Sequence, residues 1–316
     1  MKAAVVRILG QPPRWEDIAG PPEGEGVLVD VLAAALSPRV RSGASGTHYT
    51  GTAPLPFVPG LDGVGRFPDG RRRYFLAAND AWGTMAEQTR AHPSLTVALP
   101  DHVSAATVAA VMIPAISSWV ALTERVQIQA GQSVLVLGAT GVAGQLAVQI
   151  VKHLGGGRVV AAGRESHALD RVRSLGADQV VRLNGDSTDG ISVARAASDV
   201  DIVLDYLWGS VASAVLPELC RQRVAESTAL HWVAIGSAAG DVVPLSSVLL
   251  RKRNLHVLGS GQGATSTADM FAVAPQIVEA CATGILQIDI REVPLAGVER
   301  YWLMKEPSGE RVVFIP

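Results

Sequence analysis

Cysteine is nearly absent from this chain: two residues, Cys220 and Cys281, in 316. Two thiols cannot make a disulfide framework, so a reducing cytoplasm is the expected compartment. Neither lies in the first half of the sequence, which rules out a thiolate-held catalytic zinc there, and no four-cysteine cluster exists for a structural one. The seven histidines (His48, His92, His102, His153, His167, His231 and His256) show no HExxH or other close pairing, so no metal site is expected. Charge is sparse and balanced, at 18% of residues and a net −2 with no basic or acidic tail. Nucleic acid and anionic membranes are therefore excluded as main partners. The N-terminal MKAAVVRILGQPPRW has too short an apolar run for a signal peptide and reads as a strand. VSAATVAAVMIPAISSWVAL is interrupted by Pro114 and dotted with serine, and reads as a buried helix and a turn rather than a membrane span. There is no GxSxG elbow, no P-loop lysine and no internal repeat.

What is present changes texture near residue 118. Before it, short β-like runs such as GVLVDV (26–31) and the hairpin-like RFPDGRRRYFL alternate with glycine and proline clusters, the pattern of a compact β domain. After it, strands and helices alternate: SVLVLG (133–138), VAGQLAVQIVKHLG (142–155), RVVAAG (158–163), SHALDRVRSLG (166–176), DQVVRL, DIVLDYL, HWVAIG and NLHVLGS. This βαβ alternation implies a doubly wound parallel sheet with right-handed crossovers. MFAVAPQIVEACATG then reads as one more helix, and IREVPL and ERVVFIP as strands that return to the first domain. The expected division is 1–117 with 265–316 for the β-rich domain and 118–264 for the doubly wound one.

Between the first strand and helix of the second domain lies Gly138-Ala139-Thr140-Gly141-Val142-Ala143-Gly144, a G-x-x-G-x-x-G spacing. Strand, glycine loop, helix is the context of a dinucleotide site. Gly138 allows the tight turn, Gly141 lets the backbone approach a pyrophosphate, and Gly144 lets the helix pack against the sheet. The helix N-terminus then offers N–H groups and its positive dipole end. At the end of the second strand an NAD site carries an acid about 20 residues on, to bind the ribose 2′-OH. Here Gly163 and Arg164 stand there. Glycine leaves room for a 2′-phosphate, arginine can pair with it, and Ser166 can add a hydrogen bond, so NADPH is the expected cofactor. Glu165 is the counter-indication, because a register shift would let it read an unphosphorylated ribose. Asp205, Tyr206, Gly236, Ser237, Gly259 and Ser260 end further sheet strands, where ligands sit in open α/β sheets. For the glycines a plain turn is the competing reading.

Tyr301-Trp-Leu-Met-Lys305 has the Y-x-x-x-K spacing of the short-chain dehydrogenases. In that family the glycine loop opens the chain and the tyrosine follows in the same domain. Here the pair lies beyond the last strand of the sheet and reads as a surface helix face.

Taken together the segments resemble the zinc-free, quinone oxidoreductase-like branch of the medium-chain dehydrogenase/reductases. The likeness runs through MKAAVV, VPGLDGVGRF, GTMAEQ, LPDHVSAATVAA, SSWVAL, QAGQSVLVLGATGVAG, RSLGADQVV, DIVLDYLWG, VAIGSAAG, LLRKRNLHVLGS and ERVVFIP, in that order. It implies a GroES-like catalytic domain split around a Rossmann domain, which accounts for the residues before the loop. It also implies NADPH, quinones or α,β-unsaturated carbonyls as small-molecule electrophilic substrates, and a homodimer. Leu61 stands where zinc relatives carry a histidine. Where the family often has Asn-Pro-x-Asp, this chain reads Ser37-Pro38-Arg39-Val40, without the amide or the acid. The loop between Gly65 and Thr84 is also short. Both departures bear on the substrate more than on the cofactor.

Hydride addition to the β-carbon of an enone leaves an enolate that needs hydrogen-bond donors and then a proton. Tyr49, in SGTHYTG, matches a tyrosine that relatives use near the nicotinamide and is the candidate catalytic residue; a loop tyrosine at the domain edge is the equal alternative. His48 is its possible substitute. Asp62 reads as a turn anchor, and Ser117 and Ser118 as either nicotinamide contacts or helix caps. Two rival functions stay open: an NADPH-binding redox sensor or structural protein without turnover, and an enoyl reductase acting on a carrier-bound acyl chain, docked through Arg71 to Arg73.

Overall fold

The computed structural model describes residues 1–51, 53–186, 188–223 and 227–316. The chain forms two compact units, Met1–Ile113 with Ala274–Pro316, and Pro114–Val273. The sequence places these limits at 117/118 and 264/265. A long helix runs unbroken past the first limit, and a helix that precedes the second belongs to the doubly wound unit.

In the first unit a two-stranded ribbon, β1 (Lys2–Val5) and β2 (Arg14–Asp17), accompanies a six-stranded sheet. Its strands are β3 (Val27–Ala35), β4 (Asp62–Arg66), β5 (Arg72–Ala77), β6 (Gln88–Ala98) and, from the C-terminal return, β13 (Asp289–Pro294) and β14 (Glu310–Ile315). The order is β13-β14-β3-β4-β5-β6, and β3 also pairs with β6, closing the last four strands on themselves and leaving β13 as an edge. Its core contains Val29, Leu36, Phe57, Phe75, Met85 and Phe314. Between β3 and β4 a short helix, α1 (Pro38–Ser45), begins where Ser37 Oγ accepts the Val40 N–H and Pro38 occupies the first turn; Gly46, left-handed at φ 74°, ends it. Ser37-Pro38 is thus a helix start.

The helix α2 (Ala105–Val120) carries Pro114 in its middle and continues into a π-helical turn, Ala121–Arg125. The expected break does not occur. The proline removes one N–H, and its own carbonyl is taken up by Ser117 Oγ at 2.7 Å and Ser118 Oγ at 3.3 Å. By length and composition Ala105–Arg125 could cross a membrane, and 72% of its most apolar 18-residue window is buried in the structure.

The second unit is a six-stranded, all-parallel sheet: β7 (Val134–Leu137), β8 (Val159–Gly163), β9 (Gln179–Arg182), β10 (Ile202–Asp205), β11 (Leu230–Ala234) and β12 (Leu255–Gly259). The helices between them are α3 (Val142–His153), α4 (Ser166–Ser174), α5 (Asp189–Ala196), α6 (Gly209–Gln222) and α7 (Ser247–Lys252). The strand order β12-β11-β10-β7-β8-β9 is that of a Rossmann sheet, with its switch point between β7 and β10. The central strands β7, β8 and β10 are buried along their whole length and have no polar alternation, as the VLVL of β7 shows.

Beyond β12, the one helix expected across MFAVAPQIVEACATG is two: α8 (Thr267–Ala272) and α9 (Ala274–Ala282). Pro275 cannot donate to the Phe271 carbonyl, so the first helix caps at Val273 and the second starts at Ala274. The α10 helix (Val298–Leu303) ends before Lys305 and half-buries Tyr301, which has the Arg300 guanidinium 5.5 Å from its ring. The Y-x-x-x-K pair is therefore not one exposed helix face.

Candidate active site

In the second unit the glycine loop turns from β7 into α3. Gly138 has φ +86°, and its N–H and that of Ala139 both reach Ala162 O at 2.9 Å, fastening the loop to β8. A Cβ on Gly144 would lie 2.3 Å from Gly138 O, so the helix closes on the strand only because that side chain is missing. Gly141 differs: a Cβ there would meet nothing closer than Gly138 O at 3.6 Å, and the residue is exposed. It is the N-cap of α3, and among the described residues no side chain caps the helix. Uncapped N–H groups, a dipole end and an open backbone at the switch point form a cradle for a diphosphate. Ala139, Thr140 and Val142 are buried and Ala143 half-buried, so their backbones rather than their side chains shape the cradle. Gln145, buried in the first turn of α3, donates to Thr140 O at 3.2 Å and fixes the loop from below. Sequence reading missed it, although a glutamine on the buried face of VAGQLAVQIV is the signal.

Around the crevice the expected residues divide. The room at Gly163 is taken by the chain itself, since a Cβ there would lie 2.5 Å from Thr140 Cγ2. Its glycine serves the loop, which leaves Arg164 and Ser166 as the candidates at this strand end. Both are exposed at the end of β8, Arg164 makes no hydrogen bond or ion pair among the described residues, and Glu165 stands between them as the N-cap of α4.

Asp205 is fully buried. Its Oδ1 accepts the N–H groups of Leu207 (2.8 Å) and Trp208 (2.9 Å), and its Oδ2 accepts Trp232 Nε1 at 3.0 Å. Burial raises the carboxyl's pKa and these bonds oppose the rise. The carboxylate is committed to holding the turn, where Trp208 adopts φ 51°, so Asp205 shapes the crevice without facing it. Tyr206 places its hydroxyl 2.6 Å from Ser118 Oγ, and burial raises the phenol's pKa. Ser117 and Ser118 lie inside α2 and cap nothing. Gly236 passes Tyr206 closely, with a Cβ position 2.7 Å from Tyr206 O; Ser237 is exposed. Gly259 has open space where a Cβ would be, and its carbonyl accepts Arg125 Nε at 3.0 Å. Ser260 is buried, with its N–H on Ala234 O.

In the first unit, Tyr49 is 71% exposed on the loop after α1, its ring 4.4 Å from that of His48. His48 Nδ1 lies 2.8 Å from Thr50 Oγ1, and burial and then the charge of Arg39 lower its pKa. Arg39 Nη2 donates to the same Thr50 Oγ1 at 3.0 Å. Asp62 opens β4 rather than a turn. It is buried and its pKa is pushed up to about 7, chiefly by desolvation, against the Tyr74 hydroxyl and the Arg311 guanidinium. Neither cysteine is an activated thiol: burial raises both pKa values, that of Cys281 to about 12. Among the described residues no group of three or more His, Cys, Asp or Glu could hold a metal.

No model of a protein family matches the chain. A probable NADPH-dependent quinone reductase of Emericella nidulans is 30% identical to it over an alignment of 362 residues that covers 100% of both chains. The chain belongs to the quinone oxidoreductase-like branch of the medium-chain dehydrogenase/reductases. The chloroplastic NADPH-dependent alkenal/one oxidoreductase of Arabidopsis thaliana is 32% identical over 197 residues, 57% of this chain and 50% of that one. Among solved structures, the quinone oxidoreductase of Thermus thermophilus, determined also with NADPH, superposes with a TM-score of 0.82 at 27% identity and full coverage of both chains. The branch accounts for both units, the split β-rich one and the Rossmann one.

Proposed function

We infer that this chain is an NADPH-dependent oxidoreductase acting on quinones or α,β-unsaturated carbonyls. The observation that carries the reading is the uncapped N-terminus of α3 behind Gly141, open at the switch point of a Rossmann sheet. Relatives named for NADPH and for quinone or alkenal/one reduction support the same cofactor and substrate class. When bound, NADPH would supply a hydride to the β-carbon of the electrophile.

The chain's own part follows from its residues. The α3 N–H groups and dipole hold the diphosphate, with Gln145 and the Ala162 carbonyl keeping the loop in shape. Arg164, with Ser166 nearby, binds the 2′-phosphate in a charge-assisted pair. The substrate's oxygen, which gains negative charge, requires a donor, and the α-carbon requires a proton. Tyr49 is the proposed source of that proton, because its phenol stands free on an exposed loop beside His48 and Thr50.

Zinc independence rests on the missing early cysteine and on Leu61. A homodimer rests on the resemblance and on β12 as a sheet edge available for pairing. A cytoplasmic location rests on two free cysteines. A carrier-docking role for Arg71 to Arg73 is disfavoured, because Arg72 binds the Pro100 and Asp101 carbonyls and Arg73 pairs with Asp69 over the ring of Phe67.

The test is NADPH oxidation by the full chain against a panel of quinones and enones, with and without a chelator, beside calorimetric titration of NADPH. Turnover of at least one electrophile, unchanged by chelator, is expected. NADPH binding without any turnover would make the chain a cofactor-binding protein, and no binding at all would overturn the reading.

A further inference from the structure

The first unit contains a small cavity of about 60 Å³ whose walls include Arg39, Ala53, Phe57, Pro59, Leu61 and Asp80. Apart from Arg39 and Asp80 these walls are apolar. An apolar cavity of roughly 150 Å³ is what takes a benzene ring. A quinone ring therefore does not enter this one, but a substituent the size of a carboxylate does.

Arg39 is held for such a task. It sits in the first turn of α1, started by Ser37 and Pro38, and one guanidinium nitrogen donates to Thr50 Oγ1. The other lies over Gly43, four residues further along the helix, where a Cβ would come within 2.9 Å of Nη1. A Cβ at residue 43 would press on that end of the guanidinium and shift it. It is half-buried, and desolvation is the largest influence on it, with the charge of exposed Asp80 opposing. A guanidinium beside an apolar wall, partly shielded from water, matches a carboxylate in charge.

We propose that Arg39 is a specificity-determining residue that selects electrophiles bearing a carboxylate close to the reacting carbonyl, with that carboxylate in the cavity and the rest of the molecule at its mouth. The proposal deepens the reductase reading and rests on it for the identity of the reacting group. Asp80 then acts as a competing anion that the substrate's carboxylate must displace electrostatically.

The test separates binding from turnover. Binding of the unreactive pair 4-oxopentanoate and methyl 4-oxopentanoate is followed by NMR titration of the full chain, with and without NADP⁺. Turnover uses 4-oxopent-2-enoate and its methyl ester with NADPH. The acid is expected to bind at least tenfold more tightly than the ester. Arg39→Met removes that preference and leaves ester binding within threefold. Gly43→Ala, which keeps the charge but displaces the guanidinium, weakens acid binding severalfold without lowering the melting temperature, since alanine favours the helix. Asp80→Asn strengthens acid binding. Equal binding of acid and ester by the wild type, or a preference that survives Arg39→Met, overturns the proposal. If Arg39→Met fails to fold, Gly43→Ala decides, and an unchanged preference there overturns it equally. Acid-selective binding with no turnover of either enone leaves the cavity's role intact and removes the reductase reading instead.

Discussion

The hydroxyl of Tyr206 lies 2.6 Å from Ser118 Oγ and joins the end of β10 to α2 within the Rossmann unit. The bond is mostly hidden from water, and Ser118 has the Pro114 carbonyl as its other partner. Tyr206→Phe is expected to cost about 1 kcal/mol, seen as a fall in melting temperature of roughly 2–4 °C. Combined with Ser118→Ala it should cost little more than the worse single change, because both remove the same bond. Full additivity in thermal unfolding would mean that the two hydroxyls do not interact.

Asp205 has a larger stake. It accepts two backbone N–H groups and the Trp232 indole, all in the interior. Asn at that position has one acceptor oxygen and must point its NH₂ at a donor. Asp205→Asn is expected to destabilise by about 2–3 kcal/mol, and to weaken NADPH binding as the turn at Trp208 relaxes. Urea unfolding measures the first and calorimetry the second. A change below about 0.5 kcal/mol would mean that the turn stands without the carboxylate.

Asp62 gives the fold a pH dependence whose sign is unusual for an acid. Its pKa in the folded chain is raised from 3.8 to about 7, so the folded state holds a proton that the unfolded state has lost. Stability from this group is greatest below the unfolded value and declines as pH climbs from about 4 to 7, by up to about 4 kcal/mol. Asp62→Asn should flatten that decline. Chemical unfolding of both proteins between pH 5 and 8 measures it, and parallel profiles would count against the raised pKa.

On the proposed reading, cofactor choice turns on Arg164. Arg164→Ala should cost at least tenfold in NADPH affinity, about 1.4 kcal/mol, and leave NADH binding nearly unchanged. Equal binding of NADH and NADPH by the unaltered chain would transfer the decision to Glu165.

Those elements whose chemistry is local could be read directly. Residues 134–137 and 142–153 form the strand and helix their apolar spacing implies, and the glycine loop falls between them. Period and punctuation are properties of adjacent residues, so a sequence carries them. Residues that depend on distant partners read less well. Asp205 looks like a crevice acid until Trp232, 27 residues on, is seen to take its Oδ2. Gly163 looks like room for a phosphate until Thr140 is found occupying it. Arg39 had no reading of its own, because its meaning depends on Gly43, Thr50 and Phe57 meeting in space. Pro114 misled in the other direction: two hydroxyls on its carbonyl accompany a helix that punctuation alone would end.

The α2 helix and its π-turn have a consequence for how the chain can be handled. Over Ala105–Arg125 mean hydropathy reaches 1.8, and interior packing hides most of that surface. Cut loose from its surroundings, the same segment would offer a translocon or a detergent micelle what it offers the core. Truncations that begin or end inside it should therefore collect in the membrane fraction or in inclusion bodies, whereas cuts in the loops on either side need not.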